Sequence, residues 1–192
     1  MIFFSGFDVS LSAKIWYVPS EVSTIKIAVE DSAWYGDTVL VSPGIYDIAS
    51  GEVFPINMRS GVVLMSEKGA DSTIIDVGYG SRSFRCVDVD SQAVIKGFSI
   101  NKEIRCDNSS LQITENIIEG EIHCMGDMGA SPKIIKNEII GNESSIGIYY
   151  YDGSSGYPCS SPLITGNAVS DCNIGIYCGS ADHGCTPRLI EN

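Results

Sequence analysis

The sequence predicts an all-β chain whose short parallel strands wind into a solenoid, and three observations carry that prediction. The 192 residues hold 26 Ile and 14 Val against 6 Leu and 9 Ala. β-Branched side chains are stiff at χ1 and suit a pleated surface, whereas Leu and Ala fill ordinary helices. Two series of similar segments recur at steps of about 18 to 30 residues and interleave in one order. An Asn closes four copies of the first series.

The chain is long enough for one domain with its own core. Its opening, with Phe3, Phe4, Phe7, Val9 and Leu11 before Ser12-Ala13, reads as the remnant of an export signal or as an extra strand within residues 1–15. Asp8 interrupts the apolar stretch, and no basic segment precedes it. The next segment predicts a helix over residues 20–33, with Ser20 as cap, Glu21 at the positive end and Ile25, Ala28 and Val29 on one face. Gly36-Asp37 ends it. Thr38-Val39-Leu40-Val41 then reads as a strand and Ser42-Pro43-Gly44 as a turn.

The first repeat series is Ser131-Pro132-Lys133-Ile134-Ile135-Lys136-Asn137, Ser161-Pro162-Leu163-Ile164-Thr165-Gly166-Asn167 and Thr186-Pro187-Arg188-Leu189-Ile190-Glu191-Asn192, with weaker copies ending at Asn116 and Phe98. The second is Phe84-Arg85-Cys86, Ile104-Arg105-Cys106, Ile122-His123-Cys124, Ile148-Tyr149-Tyr150 and Ile176-Tyr177-Cys178. Strand alternation sends the first and third residues of each triplet to one face and the middle residue to the other. Stacked coils bring equivalent residues within about 4.8 Å. Ile, Phe, Cys86, Cys106 and Cys124 then form inward columns. Asn116, Asn137, Asn167 and Asn192 form a column at a bend, where amides bond between coils.

Thr38 to Tyr46, Gly51-Glu52-Val53-Phe54-Pro55-Ile56, Ser60-Gly61-Val62-Val63-Leu64 and Thr73-Ile74-Ile75-Asp76 together resemble the opening of right-handed parallel β-helix proteins of the pectin-lyase-like superfamily. Within it they are most similar to a prokaryotic domain family of unknown function with a Gly-Glu-Thr-Phe-Pro motif, in which Val53 here replaces the Thr. The resemblance covers residues 16–192 and implies a single right-handed β-helix domain of about seven coils. It also implies that helix 20–33 caps the N-terminal end. No capping segment follows Asn192, so the C-terminal coil is expected to be uncapped. Such an end belongs to a truncated fragment or packs against a second copy, end to end.

The middle residues form an outward row, Arg85, Arg105, His123, Tyr149 and Tyr177. The row beside it reads Ser83, Glu103, Glu121, Gly147 and Gly175. Glu103, Arg105, Glu121 and His123 thus meet on one face, where they form surface ion pairs or supply general acid and base for a polysaccharide lyase or glycoside hydrolase. Tyr149 and Tyr177, with Arg85, are the expected sugar-binding residues. Tyr150, Tyr151 and Tyr157 lie near them.

The seven Cys contain no Cys-x-x-Cys, and a straight column cannot surround a zinc ion, so no metal or other cofactor is expected. Ca²⁺ suits the acidity but has no motif. Cys159 and Cys185 lie in corresponding loops of successive coils and are candidates for a disulfide, with Cys172 as the alternative partner and the connectivity left open. His183 reads as a solvated loop residue. Net charge of −12 disfavours nucleic acid, and no apolar run spans a membrane. The expectation is a non-catalytic, extracellular or cell-surface module that binds carbohydrate or scaffolds an assembly. The alternatives are the enzyme above and a structural stalk or filament unit.

Overall fold

The computed structural model describes residues 12–80, 82–126, 129–153, 160–180 and 187–192. Three parallel sheets run the length of the chain and enclose one core, which makes it a parallel β-helix. The first sheet has eight strands, from Ile15–Val18 through Thr38–Val41 to Arg188–Ile190. The second runs from Gly44–Asp47 to Ala168–Ser170, and the third from Ile56–Met58 to Ile174–Ser180, each with six strands. Each coil visits the sheets in that order.

The inward columns follow the repeat. In the first sheet Val39, Leu64, Ile95, Ile113, Ile134 and Ile164 stack in register, all fully buried. The second sheet stacks Tyr46, Ile75, Ile100, Ile118, Ile139 and Val169. The third contributes two columns, Ile56-Phe84-Ile104-Ile122-Ile148-Ile176 and Met58-Cys86-Cys106-Cys124-Tyr150-Cys178. Each fully buried Ile contributes about 1.5–3 kcal/mol relative to exposure. The first-sheet column ends at Leu189, which is 47% exposed.

The Asn column lies at the bend between the first and second sheets. Asn137 Nδ2 donates to Ile113 O at 3.0 Å and to Asn167 Oδ1 at 3.0 Å, while its own Oδ1 accepts from the backbone and side-chain amides of Asn116, both at 3.1 Å. Asn167 repeats the pattern onto Asn192 and Ile134, and the Phe98 amide closes the column by donating to Asn116. The residue before each column member has positive φ: Gly97, Glu115, Lys136, Gly166 and Glu191. Gly97 and Gly166 take this conformation freely, but at the other three it costs about 1–2 kcal/mol. The buried amide bonds offset that cost.

The N-terminal cap is shorter than the sequence predicts. One α-helical turn, Ile25–Ile27, widens into a π-helical turn, Ala28–Ser32. Thr24, not Ser20, caps it, its hydroxyl accepting from Ile27 N at 3.2 Å. The reason is a partner distant in sequence. Buried Glu52 accepts from the amides of Ile25 and Lys26, doing what first-turn residues of a longer helix would do. Burial pushes the Glu52 carboxyl up despite those amides. Glu30 Oε1 in turn accepts from Asn57 N and from Lys26 Nζ. Ile25, Ala28, Val29 and Ala33 are thereby held over the open end of the core. Ile15–Val18 supplies a first-sheet strand before the cap; residues 1–11 lie outside the described residues.

Asn137→Ala removes four hydrogen bonds and strands buried partners, each worth about 1–3 kcal/mol when orphaned. The expected outcome in urea unfolding is a loss of about 3 kcal/mol or more, clearly larger than for Asn192→Ala. Equal losses at the two positions would refute the ladder's role.

Candidate functional site

The outward row of the third sheet is in register across its coils: Asn57, Arg85, Arg105, His123, Tyr149 and Tyr177 are successive partners. The His123 and Tyr149 rings lie 4.4 Å apart at 33°, and Tyr149 and Tyr177 stack at 5.1 Å and 8°. Both faces of Tyr149 are therefore occupied by neighbouring rings. Tyr177 leans over Gly179, where an added Cβ would meet its hydroxyl at 2.9 Å. It is 39% exposed.

The neighbouring row departs from simple repeat counting. A bulge between the Glu103 and Ile104 pairings sets Glu103 opposite Arg82, and Ser83 turns into the core. Its buried hydroxyl has no hydrogen-bond partner among the described residues. Arg82 Nε lies 3.1 Å from Glu103 Oε2, and an Arg105 terminal nitrogen lies 3.9 Å from Oε1. Arg105 Nε also donates to Asp107 at 2.8 Å. Arg82 and Asp107 are the members of this network that sequence reasoning missed; their one signal was charge beside the repeat.

Glu103, Glu121 and His123 come together, with one donor atom from each within 4.8 Å of the others. Beside them a shallow cleft of ≈ 260 Å³ opens at the corner of the second and third sheets, lined also by Asn101, Lys102, Glu119, Asn142 and Ser145. His123 Nδ1 is 3.7 Å from Glu121, beyond hydrogen-bond reach. Burial pushes the imidazole pKa down, and Arg105 pushes it further; the attraction of Glu103, Glu121 and Asp107 does not make this up. His123 is thus neutral at pH 7. A neutral imidazole and two carboxylates are chemically able to hold a cation, but two guanidiniums already neutralise Glu103. Separations near 5 Å arise between any two stacked Glu residues, so the carboxyl spacing does not by itself mark a catalytic pair.

Cys86, Cys106 and Cys124 form a buried column of free thiols. Its hydrogen bond with Cys106 and its burial hold the Cys124 thiol well above the ordinary range, so it behaves as a small apolar group. Cys172 is a free thiol. Tyr150 points inward, in the column between Cys124 and Cys178. Cys159, Tyr157, His183 and Cys185 lie outside the described residues.

The lowered His123 pKa fixes a sign for pH dependence. Unfolded His titrates near 6.5, so as pH falls through that value the unfolded chain takes up the proton first and stability drops. The loss ends below the folded pKa. An NMR titration of the His123 ring should give a midpoint below 6.5, assigned by its absence in His123→Gln. A midpoint above 6.5 would overturn the electrostatics described.

One family profile, described as "Protein of unknown function (DUF1565)", matches residues 22–192. No curated protein and no solved structure matches the chain.

Proposed function

The chain belongs to that family of unknown function, and on this premise we propose that it is a non-catalytic, extracellular or cell-surface β-helix module that binds polysaccharide along the outward face of its third sheet. The observation that carries the reading is the in-register row from Arg85 to Tyr177. Parallel coils space its groups about 4.8 Å apart on a flat surface, which suits an extended chain better than a compact ligand. Because Tyr149 and His123 cover one another, they offer ring edges and polar tips. Tyr177 offers the stack's remaining face to a sugar ring. Exposed Arg85 supplies a planar donor for hydroxyl or carboxylate oxygens. The three-sheet coil also supports placing the domain among pectin-lyase-like β-helices.

Affinity electrophoresis against neutral glucans, galactans and polygalacturonate tests this reading. At least one polymer is expected to retard the chain, and Tyr177→Ala and Arg85→Ala are each expected to weaken that binding about tenfold, or about 1.4 kcal/mol. Turnover of a bound polymer, abolished by Glu121→Gln, would replace the binding module with a lyase or hydrolase. Failure of every one of these polymers to retard the chain would overturn the binding module.

A further inference from the structure

A second pair of aromatic side chains lies outside that row. Trp34 and Tyr35 are 62% and 63% exposed, on the short segment between the cap and Thr38–Val41. Exposure of two large neighbouring rings asks for a physical reason, and floppiness is not one, since the segment is tightly tied. Trp34 N donates to Asp37 Oδ2 at 3.0 Å, Asp37 N to Trp34 O at 2.9 Å, and Gly36 N to Gly61 O at 3.0 Å. Burial alone would raise the Asp37 carboxyl, but the amides of Trp34 and Lys14 and the Trp16 indole more than offset this and hold it low.

Each ring is also pinned on one side. A Cβ on Gly61 would lie 2.4, 2.6 and 2.6 Å from three adjacent carbons of Tyr35, near-equal distances that place Gly61 against the face of the ring. Gly61 has φ +72, so its backbone also disfavours a side chain. The Arg59 guanidinium sits 5.3 Å from the Trp34 ring centroid and is itself fixed by bonds to the carbonyls of Glu30 and Ala33, at 2.9 and 3.0 Å. Two aromatic faces are thereby held rigid with their other sides toward solvent.

The Tyr35 hydroxyl leads into a polar cleft. It lies near Asp90, whose negative charge holds the phenol above its ordinary range, and Asp90 Oδ1 accepts from the amides of Gly61 and Gln92. Asp90 forms one wall of a ≈ 290 Å³ cleft at the corner of the third and first sheets, with Asp88, Asn108 and Ser110. Asn108 Nδ2 donates to Asp88 Oδ1 at 2.6 Å, so carboxylate and carboxamide are oriented as a pair.

A rigid ring face beside fixed carboxylate and amide groups matches a sugar, which carries an apolar C–H face and a rim of hydroxyls. Phosphate-bearing and uronate polymers are repelled by Asp88 and Asp90. An apolar protein anchor would find a polar cleft where it needs an apolar one. We propose that Trp34 and Tyr35 are the stacking platform of a carbohydrate subsite for a neutral or amino-sugar chain, whose hydroxyls are read by Asp88, Asp90 and Asn108. Pre-ordered rings lower the entropic cost of binding. The proposal uses none of the third-sheet row, so either site can fail alone.

Tryptophan emission reports on this subsite directly, because the chain holds two Trp and Trp16 is tied to Asp37 through its indole N–H. Cellohexaose, chitohexaose and laminarihexaose are the probes, with hexagalacturonate as the charged control. At least one neutral hexasaccharide is expected to give a saturable blue shift. That shift should need about tenfold more sugar in Tyr35→Ala and in Asp90→Asn, stay near the unmodified chain's value in Tyr35→Phe, and be unchanged in Tyr177→Ala. No shift with any of the three sugars, or a shift insensitive to Tyr35→Ala in a chain with unchanged far-ultraviolet circular dichroism, would overturn the proposal.

Discussion

Everything in this chain depends on coils stacking in register, and the buried asparagine column is the interaction that enforces it. Apolar columns alone tolerate slippage, because one Ile packs on another about as well one coil further along. Each Asn, by contrast, must meet the backbone and side-chain amides of one particular neighbour. A slip would leave buried donors and acceptors unpaired at about 1–3 kcal/mol each. The column also holds Glu115, Lys136 and Glu191 in the left-handed conformation that turns the first sheet into the second.

Register at that bend fixes what the outside presents. With the coils locked, His123 lies under Tyr149, Tyr149 under Tyr177, and the carboxylates of Glu103 and Glu121 are neighbours. The same locking sets Asn108 against Asp88 at another corner. The third-sheet face and the Asp88–Asn108 wall therefore inherit their order from the core, whereas Trp34 and Tyr35 are held by the hydrogen-bonded turn that carries them. At the N-terminal end, Glu52 and Glu30 tie the cap to the first full coil, which gives the Gly51-Glu52-Val53-Phe54-Pro55 segment a structural task.

The inward columns and the Arg85-to-Tyr177 row were legible in the sequence because strand alternation and coil stacking are both periodic. What escaped is what breaks the period. One bulge exchanges Ser83 for Arg82, and no residue type announces it. The helix prediction ran too far because its N-terminal partner, Glu52, lies 27 residues from Ile25. The positive-φ position before each Asn showed itself only in Gly97 and Gly166, while charged residues fill it elsewhere. Trp34 and Tyr35 sit outside the repeat altogether. Their one trace was an adjacent aromatic pair in a tight Gly-Asp turn.

The most direct measurement of the register account is amide hydrogen exchange along the column. The amides of Asn116, Asn137 and Asn167 each donate to the next Asn side chain, not to a sheet carbonyl. If the column holds the coils together, the Asn116 and Asn137 amides should exchange as slowly as those of the neighbouring first-sheet core, opening only with global unfolding. Exchange at those two amides several orders of magnitude faster than at Ile113 and Ile134, under native conditions, would show that the apolar columns set the register and that the asparagines merely follow it.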